Sequence, residues 1–93
     1  MAIYAIIQQP STHAEKLAPA IEAAFKGSIL VVRDGVWLVA ASGTAEDVSN
    51  KIGIITTEES GAAIVLEAAS YFGRANPAIW SWIKANWEAR PVG

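Results

Sequence analysis

The fold is decided by residues 28–42, which have the sequence SILVVRDGVWLVAAS. Two runs of strand-forming residues are separated by Asp34-Gly35, the dipeptide favoured in two-residue hairpin turns. Such a turn predicts that Arg33 pairs with Val36 and that Val31 pairs with Leu38. The predicted faces of the hairpin are both apolar: one carries Ile29, Val31, Val36, Leu38 and Ala40, and the other carries Leu30, Val32, Trp37, Val39 and Ala41. We therefore expect that each face of the sheet is either covered or available to a partner.

A helix is predicted between the first strand and the hairpin, because apolar residues recur at helical spacing in residues 11–25. Thr12 and Glu15 have the spacing of a capping box. Pro19 leaves two alternatives for the start of this helix. The proline either kinks a helix that begins near Thr12, or lies in the first turn of a helix that starts close to Ala18.

The rest of the chain supplies two more strands, a short second helix and a C-terminal helix. Thr44 and Asp47 have the spacing of an N-terminal cap, so the second helix is predicted to begin there. Asn76-Pro77 is a strong helix start, and we expect the last helix to run to about Ala89. The two strands are predicted at residues 2–8 and 62–69.

The predicted order is therefore strand, helix, strand, strand, helix, strand, helix. Right-handed crossovers on both sides of a central hairpin give a four-stranded antiparallel sheet with two helices on one face. The sequence thus predicts an α+β protein, a ferredoxin-like βαββαβ sandwich with an extra Trp-rich C-terminal helix. We expect one domain over residues 1–93, with its core in 1–70 and the last helix at about 77–89.

The C-terminal helix is the predicted cover for the face that the first two helices leave open. Its apolar stripe consists of Ile79, Trp80, Ile83 and Trp87. A homodimer that packs sheet against sheet would cover the same face. The oligomeric state therefore stays open at this point.

Composition limits the classes of function. The hydrophobic fraction is 53% and the charged fraction only 17%, which leaves little charged surface. A net charge of −2 with scattered basic residues opposes binding through many phosphates, so a nucleic-acid partner is not expected. The chain has no cysteine, which agrees with a cytoplasmic location, and no apolar stretch near the ~20 residues that cross a bilayer.

The residue types that carry common enzyme chemistry are sparse. His13 is the single histidine, and no carboxylate is spaced to join it as a metal ligand. The adjacent pair Glu58-Glu59 falls in a predicted loop, which does not offer the apolar cleft that acid–base catalysis uses. Neither a phosphate-binding glycine loop nor a nucleophile elbow is present. We expect no catalytic residues, no metal and no cofactor.

One connection is unusual for a surface loop. Tyr71, Phe72 and Arg74 lie between the last strand and the last helix, and these residue types are enriched at binding hot spots. Trp82 points away from the apolar stripe of its helix and should be partly exposed. These four residues are the candidate partner-binding set. The alternative is that the aromatics tuck under the helix while the arginine pairs with Glu67 or a helix end.

The sequence also resembles a known family. The stretches that carry the likeness are MAIYAII at 1–7, VWLV at 36–39 and TAEDV at 44–48. They resemble small bacterial ferredoxin-fold proteins related to the CRISPR-associated adaptation nucleases. That resemblance implies the same fold and dimerisation through the sheet. The family has a catalytic Asp after its first strand, whereas Gln8-Gln9-Pro10 stands here, so metal-dependent nuclease activity is not implied.

The leading hypothesis is a non-catalytic protein-interaction or regulatory module of bacterial or phage origin. It acts as a homodimer or bound to a protein partner, and not at a membrane. The alternatives are a nucleic-acid-acting protein related to the adaptation nucleases, or a small-molecule sensor with an aromatic-lined cleft between sheet and C-terminal helix.

Overall fold

A computed structural model describes residues 2–55, 61–69, 74 and 76–87. These residues form an α+β structure whose elements follow the predicted order. The strands are β1 (Ala2–Gln9), β2 (Ile29–Arg33), β3 (Val36–Ala41) and β4 (Ala62–Glu67), and the helices are α1 (Leu17–Ala24), α2 (Ala45–Ile52) and α3 (Pro77–Asn86). Within the described ranges, none of the helices has the length and apolar character to cross a membrane.

The four strands form one antiparallel sheet in the order β2-β3-β1-β4. On one side of β1, Tyr4 pairs with Val39 and Ile6 with Trp37. On its other side, Ile6 pairs with Val65. The side chains of these five residues point to the same side of the sheet, which we call the core face. The opposite side is called the second face.

The predicted pair of Arg33 and Val36 beside the turn is confirmed, whereas the predicted pairs farther along the hairpin are wrong by one residue. Val31 pairs with Trp37, not with Leu38, and the register shifts between Val31 and Arg33. The backbone φ is +84° at Gly35 and is not positive at the preceding aspartate. A two-residue type I′ turn needs positive φ at both central residues, whereas a three-residue turn with one left-handed glycine produces a bulge. The extra residue moves Ile29 and Val31 to the core face and Leu30 to the second face, which corrects the predicted faces of β2. Val31 is still 58% exposed, because β2 lies at the edge of the sheet.

The core lies between the core face and helices α1 and α2. Both helices contribute buried residues to a single apolar cluster, so they pack on the same side of the sheet. The cluster consists of Tyr4, Ile6, Leu17, Ile21, Phe25, Trp37, Val39, Ala41, Val48 and Ile52.

The predicted capping box of Thr12 and Glu15 is wrong. Residues Ala14–Lys16 form a 3-10 turn, and no side chain caps it. The hydroxyl oxygen of Ser11 instead accepts a hydrogen bond from the backbone N–H of His13 at 3.2 Å. Such a local turn competes with the helical arrangement that a capping box needs.

Pro19 lies in the first turn of α1, as the second of the two alternatives predicted. The helix begins at Leu17, so the proline is its third residue. The first N–H groups of a helix have no partner within the helix, and the missing N–H of proline therefore costs little at this position.

The predicted cap of α2 is confirmed. The Thr44 hydroxyl accepts a hydrogen bond from the backbone N–H of Asp47 at 3.1 Å, and the Asp47 carboxylate accepts one from Thr44 N–H at 2.8 Å. This reciprocal pair satisfies two N–H groups at the helix start. The helix ends at Ile52, and Gly53 follows it with a left-handed backbone.

The residue before this cap joins the helix to the sheet. Gly43 has φ of +99°, and its carbonyl accepts a hydrogen bond from the hydroxyl of Tyr4. A Cβ added at Gly43 would lie 2.6 Å from Oδ2 of Asp47. Both the backbone conformation and the space therefore require glycine here.

The start of α3 agrees with the sequence, and its end does not. The side-chain oxygen of Asn76 accepts a hydrogen bond from Ala78 N–H at 2.9 Å, as expected of a cap followed by proline. The helix ends at Asn86, short of the predicted Ala89, because Trp87 has an extended backbone with φ −77° and ψ 118°. Residues 88 and 89 lie outside the described part of the chain.

The two cap assignments can be tested with matched substitutions. Thr44→Ala should lower the free energy of unfolding by about 1 kcal/mol, since it removes the cap of α2. Thr12→Ala should leave it unchanged within error, because no capping bond is lost. Urea unfolding followed by tryptophan fluorescence measures both. Equal losses for the two variants would contradict the assignment.

The contact between Tyr4 and Gly43 predicts a second effect. Tyr4→Phe keeps the ring in the core but leaves the Gly43 carbonyl without its bond, which should cost about 1 to 2 kcal/mol of stability. The urea midpoint should fall while the slope of the transition stays constant. A variant with the wild-type midpoint would show that the hydroxyl contributes nothing.

Candidate protein-interaction surface

Helix α3 covers one end of the second face. Ile3 and Ala40 are paired neighbours on this face, and only 2% and 4% of their surfaces are exposed. Ile83 of α3 is 7% exposed, yet it is not part of the core cluster. Since α3 contacts β1 and β2, we place this helix over Ile3 and Ala40. The predicted role of the C-terminal helix as a cover is thus met at this end of the sheet.

The β4 side of the second face remains open. Ile64 is 47% exposed and Leu66 is 52% exposed, although both are aliphatic. They pair across the sheet with Ile7 and Ala5, which are half-buried. We call these four residues the apolar patch. Exposed aliphatic side chains that lie side by side are typical of a surface that contacts another molecule.

The residues of β4 alternate in the direction of their backbone N–H and C=O groups. The N–H of Ala68 donates to the carbonyl of Ile3 at 2.8 Å, which identifies a hydrogen-bonded pair. Because such pairs alternate along antiparallel strands, Ile64 and Leu66 also direct their backbone groups toward β1. The N–H and C=O groups of Ala63 and Val65 consequently point away from β1, toward the open edge.

The two edges of the sheet differ. The β2 edge is five residues long, is interrupted by the shift before Arg33 and ends in that basic residue. The β4 edge is six residues long and has continuous register, without proline, and it ends in Glu67. Bulges, short length and charged side chains are the usual protection of edge strands against pairing with another chain. In the described part of the sheet both edge strands end in a charged residue, but only β2 has a bulge.

The candidate residues predicted from sequence are only partly located. Tyr71 and Phe72 lie outside the described residues. Arg74 is exposed, and Trp82 is half-buried on α3, where its carbonyl accepts a hydrogen bond from the Asn86 side chain at 2.9 Å. Neither Arg74 nor Trp82 belongs to the apolar patch.

Sequence reasoning missed Ile64 and Leu66 as surface candidates. The signal that could have found them is the composition of Ala62–Glu67, whose first five residues are all apolar. A strand that is apolar on both faces needs cover on both. The sheet order places this strand at an edge, where α3 leaves Ile64 and Leu66 exposed.

An open depression of about 520 Å³ lies beside α2. It is lined by Phe25, Ser42, Gly43, Asp47, Val48, Asn50 and Lys51. Its charged groups have structural partners: the Asp47 carboxylate caps α2, and Lys51 Nζ lies 5.4 Å from the centre of the Phe25 ring.

Among the described residues, no three side chains of the metal-ligating types come together. His13 is half-buried beside the 3-10 turn. The chain matches no protein-family model, no curated protein and no solved structure. The resemblance to the adaptation nucleases therefore stays a prediction, and the surface must be interpreted from its own geometry.

The placement of α3 can be tested at Ile83. Ile83→Ala should lower the free energy of unfolding by about 2 to 4 kcal/mol, since it removes a buried side chain from the contact over Ile3 and Ala40. Ser81→Ala is the matched control, because Ser81 is exposed on the same helix. Urea unfolding measures both variants. A small and equal effect would show that α3 does not cover the sheet.

Proposed function

We propose that this protein is a non-catalytic interaction module with a ferredoxin-like fold. It binds a protein partner, which is either another protein or a second copy of itself, through the apolar patch of Ala5, Ile7, Ile64 and Leu66. The observation that carries the proposal is the exposure of Ile64 and Leu66, at 47% and 52%, on the part of the second face that α3 leaves open.

The strand order supports the fold assignment. In a ferredoxin-like sandwich the first and third strands are central, and the second and fourth strands form the edges. The order β2-β3-β1-β4 has this arrangement, with α1 and α2 together on the core face. In this fold the two crossover helices leave the second face open, so its cover must come from outside the βαββαβ unit.

The shape and chemistry of the patch favour a protein partner. Small ligands bind mostly in concave sites with converging polar groups, whereas the patch is a sheet surface of aliphatic side chains. The centres of protein interfaces are depleted in charged residues, and all four patch residues are apolar. Burying the exposed halves of Ile64 and Leu66 would contribute about 1 kcal/mol each, a useful fraction of a modest affinity.

A charge placed in the patch tests this proposal. Leu66→Lys should weaken self-association, measured by light scattering, or binding of a stoichiometric protein partner captured from the host, because a buried lysine would lose its hydration. Its stability should stay near that of the wild type, since Leu66 is already half exposed. Ala23→Lys is the control, because Ala23 is exposed on α1, which packs on the core face.

The proposal requires that the wild type and Ala23→Lys associate alike and that Leu66→Lys does not. A wild-type protein that is monomeric at all concentrations and captures no partner would refute it. Association that survives Leu66→Lys unchanged would also refute it, because the patch would then not be the surface in use.

A further inference from the structure

We propose that two copies of this chain pair through their β4 strands, in antiparallel orientation, so that their two four-stranded sheets become one continuous sheet. This inference rests on the proposed function and commits its partner to a second copy. The open edge of β4 would be the interface, with the apolar patch beside it.

The backbone of the β4 edge is complementary to itself. The bond from Ala68 N–H to the Ile3 carbonyl shows that Ala68, Leu66 and Ile64 direct their backbone groups toward β1. Ala63 and Val65 lie between them in the alternation, so their N–H and C=O groups point outward. A strand related to its copy by a twofold axis is antiparallel to it, so each outward donor can meet an outward acceptor. Symmetric dimers use the same surface on both subunits in this way.

The outward groups restrict the register. Only outward residues can form the hydrogen-bonded pairs, and placing the twofold axis at Val65 pairs this residue with itself near the middle of the strand. In that register Ile64 lies opposite Leu66 of the second copy, and Leu66 lies opposite Ile64. The two most exposed aliphatic side chains of the strand would then form two cross-strand pairs on one face.

The charges of the strand agree with the same register. Glu67 is the one charged residue of β4, and in this register it lies opposite Ala63 of the second copy. The two Glu67 residues are then about 13 Å apart along the strands. A twofold axis at Glu67 would instead place two carboxylates opposite each other, which is unfavourable.

The size of the interface predicts the strength of the dimer. Five paired residues of each strand and four aliphatic side chains bury less than the ~1,200 Å² of a standard stable interface. We therefore expect a dimer that dissociates on dilution. Sedimentation equilibrium over a wide concentration range is the appropriate measurement.

Val65→Pro is the first test, with Val65→Ala as its matched control. Both variants lose the packing of the Val65 side chain against the core. Only proline removes the central outward N–H, and at an edge position this leaves the bonds to β1 intact. The proline variant should dimerise at least about tenfold more weakly than the alanine variant, since two central bonds are lost. Equal dimerisation of the two would overturn the proposal.

A charge pair tests the register without touching the backbone. In Ile64→Lys/Leu66→Lys, every introduced lysine faces a lysine of the second copy, so dimerisation should be lost. In Ile64→Glu/Leu66→Lys, each glutamate faces a lysine, so the dimer should persist at low salt and weaken as salt is added. Equal behaviour of these double variants, which change the same two exposed residues, would overturn the register.

These experiments separate this proposal from the broader one. A monomeric wild type that binds a different protein, with binding lost in Leu66→Lys, would keep the interaction module and overturn the β4 dimer. A dimer that survives Val65→Pro and the double-lysine variant would show that self-association uses another surface. A monomer that binds nothing would overturn both.

Discussion

The hydroxyl of Tyr4 fixes the relation between the sheet and the second helix. Tyr4 is fully buried in the central strand, and a buried hydroxyl needs a hydrogen-bond partner. That partner is the carbonyl of Gly43, which is held in place by a left-handed backbone that only glycine adopts at low cost. The next residue, Thr44, begins the capping box of α2. The start of the helix is therefore positioned by a side chain from the centre of the sheet, and Val48 and Ile52 then reach the core.

Local signals explain why much of the fold is predictable from sequence. The cap at Thr44 and the start of α3 at Asn76 depend on residues within three positions of each other, and both are confirmed. The predicted hairpin register is confirmed at the pair of Arg33 and Val36 and is wrong from Val31 onward, because Asp34-Gly35 suits two turn types and its sequence does not decide between them. The Thr12 cap failed for a similar reason, since Ser11 offered a competing local bond.

The candidate surface was less predictable because it depends on long-range geometry. The strand run that contains Ile64 and Leu66 is visible in the sequence, but their exposure depends on how far α3 extends across the second face. That extent is set by contacts of α3 with β1 and β2, which lie far apart along the chain. The aromatic residues that drew attention in the sequence, Tyr71 and Phe72, fall outside the described residues. Trp82 lies on the helix and not in the patch.

The interpretation of β4 as an interaction surface depends on how the two sheet edges differ. Both edges face the same solvent. If open edges were harmless in this protein, the bulge and the arginine of β2 would have no role in protecting it. The bulge and the terminal arginine disfavour pairing at β2, although Val31 on that strand is 58% exposed. The continuous register and aliphatic side chains of β4 leave pairing possible there. A dimer formed through β4, as proposed, would present two β2 edges outward, and the bulge in each of them would disfavour further growth of the sheet.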